Sequence, residues 1–457
     1  MGNEKEYDWG AYDFNWSIFA EAKTFLSGLV DDFMGEHNRA GEVTGSIEWG
    51  TAARFLDWID HMIIPQDSVD EYDLQYLGFV EDTEAETMYG ARCFRHMGSV
   101  LFPILLRPGS LTELAIKVQE LHDFRKRQVR TADIIGDPFA KFRWLDVTRE
   151  HNHLLTAVER RGYAGFTLED AYDVDAYKTT LVAFRTRNRI FHTDVEGLSA
   201  THDLVAAQLD DLDTDRVADA WFRAEWEYYA SHNKAAHIVK ERQDMVGLGW
   251  ANQDHQAYRC SRENYTKVVD ILELLGLRRR EAYFAGDQAG WGAQVMENPV
   301  GPFVVFCDVD MAADEQDLDF ASKGFEPLDE MGSIGLWVGL HGESILQAGL
   351  HHLAIRVNFE RAIQDLDTRD ISCMPPFSDF DFLRQCFTVA ERWTVEQERA
   401  VELMEGKFIG QEDFEAFGSV GATGSHLELI ERNEGFKGFN QDSVSSIITN
   451  TDPRKGH

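Results

Sequence analysis

The chain has 457 residues and carries 80 Asp and Glu against 44 Lys and Arg, a formal net charge of −36. A hydrophobic share of 44% with 12% aromatics supplies buried cores and excludes a disordered chain, while the length calls for two or three domains. The acid excess, with 13 Lys against 31 Arg, resembles the surface of a protein adapted to high salt and disfavours nucleic acid or anionic membrane as a partner.

Five scattered cysteines with no C-x-x-C argue against a structural zinc site or a disulfide framework and fit a reducing compartment. Met1–Gly10 is acidic and polar, unlike a secretory leader, and no apolar run approaches a membrane span. A soluble, cytoplasmic protein is expected, with self-association left open.

Apolar spacing predicts that residues 1–245 form a helical domain of unknown role. Its helices are expected at Ser17–Met34, Trp49–Ile63, Ser110–Ile135, Val147–Arg161, Thr167–His192 and Asp215–Met245. Thr167–Asp170 and Thr214-Asp215 read as helix starts, and Glu150–His153 as a solvated helical turn. Late in this half, Arg187-Asn188 and His192 spell R-N-x-x-x-H. That pattern resembles the signature of HEPN helical domains, many of which cleave RNA. The resemblance implies a nuclease site of Arg187, Asn188 and His192, with the imidazole as acid and base.

At Gly247-Leu248-Gly249 the pattern changes, and residues 246–457 alternate short strands with helices. Asp254–Cys260 precedes a helix over Glu263–Leu275 and strands at Arg280–Ala285, Trp291–Met296 and Phe303–Val309. A second round begins with Leu350–Val357 and a helix to Asp367. A helical insertion over Phe380–Met404 and strands at Phe414–Val420 and Ser425–Arg432 complete it.

Both rounds open with one pattern. His255-Gln256-Ala257-Tyr258-Arg259 and His352-Leu353-Ala354-Ile355-Arg356 each read H-x-A-x-R. On a strand, the His, Ala and Arg of each copy share one face. Glu428, in His426-Leu427-Glu428-Leu429, adds a carboxylate on the last strand. Two histidines and a carboxylate on a rigid sheet suit Fe(II), Mn or another divalent ion with coordination positions left open. Arg259 and Arg356 are candidate carboxylate clamps. His351 is expected to face away, and His426 to share the face of Glu428.

A tandem βαβββ unit with His on each first strand and Glu on the last resembles the vicinal oxygen chelate (glyoxalase-like) superfamily. Leu427–Arg432 and the following Gly435–Asn440, with a helix at Ser443–Ile448, are similar to the end of 4-hydroxyphenylpyruvate dioxygenases. His255–Arg259 and the stretch from Asn298-Pro299 to Phe306 are similar to the 2-oxoadipate dioxygenase/decarboxylase family. The resemblance implies metal ligands His255, His352 and Glu428, substrate held by Arg259, and an Fe(II) oxygenase that takes dioxygen and a small 2-oxo acid or related carboxylate. The expected fold class is α+β: a helical region followed by paired βαβββ modules. A binding protein that keeps the fold without the chemistry is the remaining alternative.

Overall fold

The computed structural model describes residues 17–168, 173–286, 289–328, 330–440 and 451–454. The expected helix at Ser443–Ile448, the acidic segment Met1–Gly10 and part of the Thr167–Asp170 helix start lie outside them.

The second half forms an eight-stranded sheet. A first unit runs β8 (Gln253–Arg259), helix Tyr265–Leu274, β9 (Arg278–Phe284), β10 (Trp291–Glu297) and β11 (Val304–Asp310). A second runs β12 (His352–Arg356), helix Phe359–Asp367, β13 (Ser378–Phe380), β14 (Leu383–Phe387) and β17 (His426–Arg432). The spatial order is β13-β14-β17-β12-β8-β11-β10-β9. The opening strands β8 and β12 pair antiparallel at the centre, and each is flanked by the parallel closing strand of its own unit. This is the expected pair of βαβββ modules.

Two expectations within it need correction. The stretch Phe380–Met404 is not a helical insertion: it supplies the end of β13, all of β14, the short β15 (Arg392–Trp393) and part of the helix Gln397–Glu405. β14 crosses the sheet next to β17, with Cys386 and Leu383 buried, so the segment is pairing structure and not an excursion. Conversely, Phe414–Val420 lies in the helix Gln411–Val420. Asp413 caps its start by accepting from the Gly410 N–H, and Phe414 and Phe417 sit three apart on one face. β16 (Ala422–Thr423) then pairs with β15.

The first half departs further from expectation. Residues 59–160 hold a seven-stranded sheet with the order β2-β3-β4-β1-β5-β7-β6. Its strands are β1 (Ile59–Pro65), β2 (Val80–Asp82), β3 (Arg92–Arg95), β4 (Ile104–Arg107), β5 (Thr112–Lys117), β6 (Phe142–Glu150) and β7 (His153–Arg160). The helices expected at Trp49–Ile63, Ser110–Ile135 and Val147–Arg161 are therefore wrong in whole or part. The cause is burial on both faces. β1 buries five of its seven residues and β7 six of its eight, so neither shows the alternation that marks a strand. Glu150–His153 is a hairpin, with Glu150 opposite His153 and the turn residue His151 at φ 50.

This sheet repeats the wiring of the other. β1 and β5 pair antiparallel at its centre, and each has a parallel partner that closes its own unit, β4 and β7. The second unit of this sheet, β5 to β7, lacks one full edge strand, which survives as a single bridge between Ile135 and Trp144. The α+β class holds, but the chain contains the βαβββ plan four times, not twice.

Helices Val174–Arg185, Asp194–Gln208, Thr214–His232 and Lys234–Met245 follow the first sheet. The expected single helix Asp215–Met245 breaks at Asn233, whose side chain accepts from the Ala236 N–H and caps a new helix. Thr214–His232 packs against the convex face of the second sheet: Trp226 Nε1 donates to Gln256 and Trp221 Nε1 to the Tyr258 hydroxyl. Gln256 and Tyr258 thus face the helices, which turns His255, Ala257 and Arg259 to the concave side, as alternation predicts. Gly247 has a φ of 85, and a Cβ there would meet the Phe124 backbone at 2.5 Å, so the link into β8 requires glycine. Leu353 and Leu427 fill the same core from β12 and β17 without exposure. Leu353→Ala is expected to cost about 3 kcal/mol in urea unfolding, with β8 and β17 losing a shared neighbour; a loss below about 1 kcal/mol would contradict this packing.

Candidate metal centre

Register builds the site. β12 lies beside β17 with His352 opposite His426 and Ala354 opposite Glu428, and beside β8 with His352 opposite Ala257. Three neighbouring strands thereby bring His255, His352 and Glu428 together, all buried, with one ligand atom from each within 4.8 Å of the others. Among the described residues this is the one such group of three. His255 Nε2 is 3.1 Å from Glu428 Oε2, and His352 Nε2 is 3.3 Å from the same oxygen.

The surroundings orient these atoms. His255 Nδ1 donates to Asp254 at 2.9 Å, which fixes Nε2 toward Glu428. Gln385 donates to the other Glu428 oxygen at 2.7 Å. His352 Nδ1 is 3.3 Å from His351 Nδ1, leaving its Nε2 buried without a hydrogen bond. A buried imidazole nitrogen without a hydrogen bond, beside a second imidazole and a carboxylate, fits a divalent ion.

Charge supports the same fit. Burial lowers the pKa of His255, but Glu428 and Asp254 outweigh it and raise the value to about 9. Burial, then the neighbouring His255, pushes His352 well below the usual range, so its imidazole is neutral and ready to ligate.

The cavity over these ligands measures about 70 Å³. Arg259 lines it, buried at 2% exposure, with Nε and Nη1 lacking hydrogen-bond partners and its pKa brought down to about 10 by burial. Asp308, opposite Arg259 in the sheet, also lines it, and burial pushes its carboxyl up to about 7. Phe306, Phe387 and Phe439 close the walls.

The remaining candidates fall elsewhere. Arg356 lies outside this cavity: its Nε pairs with Asp254 at 2.7 Å, and it lines a separate, larger cleft. His351 precedes β12 and turns into the metal cavity instead of away from it. His426 donates to, or accepts from, no proposed ligand; its Nδ1 meets the Thr388 carbonyl at 2.8 Å. Gln385 and Asp308 were not singled out from sequence. Each acts through a partner on another strand, and only the pairing of β14 with β17 and β11 with β8 reveals it.

The nuclease reading is overturned. The helix ends at Arg185, so Arg187, Asn188 and His192 lie on an irregular segment. The Arg187 guanidinium is buried against Glu225 at 2.7 Å and the Ile345 carbonyl at 2.9 Å, and Asn188 bonds to Ile190. His192 is exposed, whereas the Arg187 side chain is buried and held by its ion pair with Glu225.

No family model and no curated protein matches the sequence. Solved structures do resemble the chain. A triple mutant of 4-hydroxymandelate synthase from Streptomyces coelicolor aligns over 89% of this chain and 100% of its own, at 12% identity and a TM-score of 0.26. Methylmalonyl-CoA epimerase from Mycobacterium tuberculosis aligns over 40% of this chain and 88% of its own, at 13% identity and a TM-score of 0.23. A member of the glyoxalase/bleomycin resistance protein/dioxygenase superfamily from Vibrio splendidus aligns over 22% of this chain and 95% of its own, at 10% identity and a TM-score of 0.17. At such identities and scores no activity passes from those proteins to this chain. Among the described residues no helix is long and apolar enough to cross a membrane.

The raised pKa of His255 has a measurable consequence. Below about pH 9 the metal-free imidazole holds a proton that a metal must displace, so affinity rises with pH up to that value and then levels. Calorimetric titration with Mn(II) at pH 7, in two buffers of different ionisation enthalpy, should show about one proton released per metal, and affinity should gain about tenfold per pH unit. Release of no proton would contradict the His255–Glu428 contact.

Proposed function

We propose that this chain is a non-haem Fe(II) oxygenase acting on a small 2-oxo acid or related carboxylate. The observation that carries the reading is the convergence of His255, His352 and Glu428 beneath a cavity that also holds Arg259, a buried cation with free donors. Fe(II) held there would supply Lewis acidity and open positions for a chelating substrate and dioxygen.

The chain's own residues do the rest. Arg259 offers Nε and Nη1 to a substrate carboxylate, and its burial makes an unpaired state costly, so an anion is favoured over a neutral analogue. Asp254 and Gln385 hold the His255 imidazole and the Glu428 carboxylate in one geometry, which spares reorganisation when substrate binds. The aromatic wall of Phe306, Phe387 and Phe439 excludes water and limits the substrate to a small acid. Asp308 can hold or release a proton near neutral pH beside the Arg259 carboxylate site.

Oxygen uptake with 2-oxo acids, measured on anaerobically purified protein reloaded with Fe(II), tests the reading. Uptake should need Fe(II) and disappear in Glu428→Ala. Metal content should vanish in His352→Ala and persist in His351→Ala. Arg259→Gln should leave metal content intact and raise KM for the acid about tenfold or more, since a charge-assisted contact is lost. Metal binding without acid-dependent oxygen uptake would leave a metal protein of different chemistry, and equal metal loss in both histidine variants would remove the facial assignment.

A further inference from the structure

A second cavity, larger than the one over the metal centre, lies apart from it. A cleft of about 370 Å³ lies where the two sheets meet, within the size range of small-molecule sites. Its walls come from register-equivalent positions of the two halves. Asp60-His61 on β1 occupies the place of Asp254-His255 on β8: Ile63 lies opposite Glu113 as Ala257 lies opposite His352, and Ile59 opposite Ile116 as Gln253 lies opposite Ile355. By the same register Lys117 on β5 matches Arg356 on β12, and Arg160 on β7 matches Arg432 on β17. All four of these cations line the cleft.

The cleft is basic in a strongly acidic chain, with eight Lys and Arg side chains against four Asp and Glu. Most of that charge is already answered. Arg160 pairs with Asp60 at 2.8 Å, Arg356 and Arg432 with Asp254, and Arg223 with Asp219. Among the described residues the Lys117 side chain has no hydrogen bond or ion pair, and Arg356 bonds through Nε alone, with no hydrogen bond from its two terminal nitrogens. The wall also holds a buried Trp250 Nε1 and Gln253 Oε1 with no partner. Unanswered donors on Lys117, Arg356 and Trp250, beside an apolar wall of Trp226 and Phe303, describe a site awaiting a ligand with an anionic head and an apolar body; the Gln253 oxygen is an acceptor and leaves room for a donor on that ligand.

We propose that this cleft is a second ligand site, which takes an organic oxyanion with Lys117 and Arg356 on its anionic group and Trp226, Trp250 and Phe303 along its body. Burial, then the facing Arg356, brings the Lys117 ammonium down to about 8, against the pull of Asp60, Asp57 and Asp254. An anion there relieves that cost. Because Arg356 also holds Asp254, and Asp254 holds His255, the cleft is wired to the metal centre through two contacts.

Equilibrium dialysis of the full chain with 2-naphthoate tests this, with neutral 2-naphthamide as control and inorganic phosphate as competitor. About one naphthoate per chain should bind, Lys117→Met should weaken it about tenfold or more, and Lys117→Arg should restore it. Competition by phosphate would show that the oxyanion alone suffices; its absence would show that the organic body is needed. Equal binding of the amide, or undiminished binding in Lys117→Met, would overturn the site. The wild-type chain gives an independent reading: naphthoate should slow acetylation of Lys117 by acetic anhydride, seen by peptide mass, and binding without that protection also overturns it. Glu428→Ala should bind naphthoate as the parent does, which separates this cleft from the oxygenase reading; loss in that variant would place the ligand at the metal cavity and end the proposal.

Discussion

A buried carboxylate, Asp254, ties the proposed metal-binding set to the frame of the second sheet. Its oxygens accept from His255 Nδ1 on the same strand, from Arg356 on β12, and from both Nε and Nη2 of Arg432 on β17. Burial alone would raise its pKa, but Arg432 and Arg356 dominate and hold it well below the usual carboxylate range, so it stays ionised. Three strands are thus cross-linked by one charge, next to His255 on β8 and four residues along β12 and β17 from His352 and Glu428. Removing any partner would strand a charge out of water, which costs several kcal/mol and explains why the arrangement holds its geometry.

The first half shows what that frame does without the ligands. Asp60 accepts from His61 and Arg160 as Asp254 does from His255 and Arg432. The register places of His352 and Glu428 are taken by Glu113 and Thr156, which bond to each other at 3.1 Å. A hydroxyl replaces the second carboxylate and a carboxylate the second imidazole, and the set closes on itself. The Asp–His–Arg arrangement therefore serves the architecture in both halves, and the proposed metal set is found only in the half whose other two strands supply His and Glu.

How far the sequence was legible follows from these contacts. The H-x-A-x-R repeat marked β8 and β12 because His255, Arg259 and His352 face the metal cavity while Gln256, Tyr258, Leu353 and Ile355 pack into the helices. Glu428 was legible for the same reason, with Leu427 and Leu429 on the opposite face. The first sheet was not, because Met62, Ile63 and Ile64 on β1 are all buried and a strand covered on both faces carries no period of two. Arg356 shares a strand face with His352 on paper, yet the pull of Asp254 and the end of the strand carry it into the other cleft. Gln385, Asp308 and Lys117 depend on strand pairing alone, which a single sequence does not display.

The central claim is that His255, His352 and Glu428 hold one divalent ion in a facial set. X-ray absorption at the metal edge of Fe(II)-loaded protein, with and without the Glu428→Ala substitution, tests it most directly. The account predicts two imidazole nitrogens and oxygen-rich remaining positions with no sulfur, and a changed or unloaded site in the variant. A spectrum with cysteine sulfur, or one unaltered by Glu428→Ala, would contradict it.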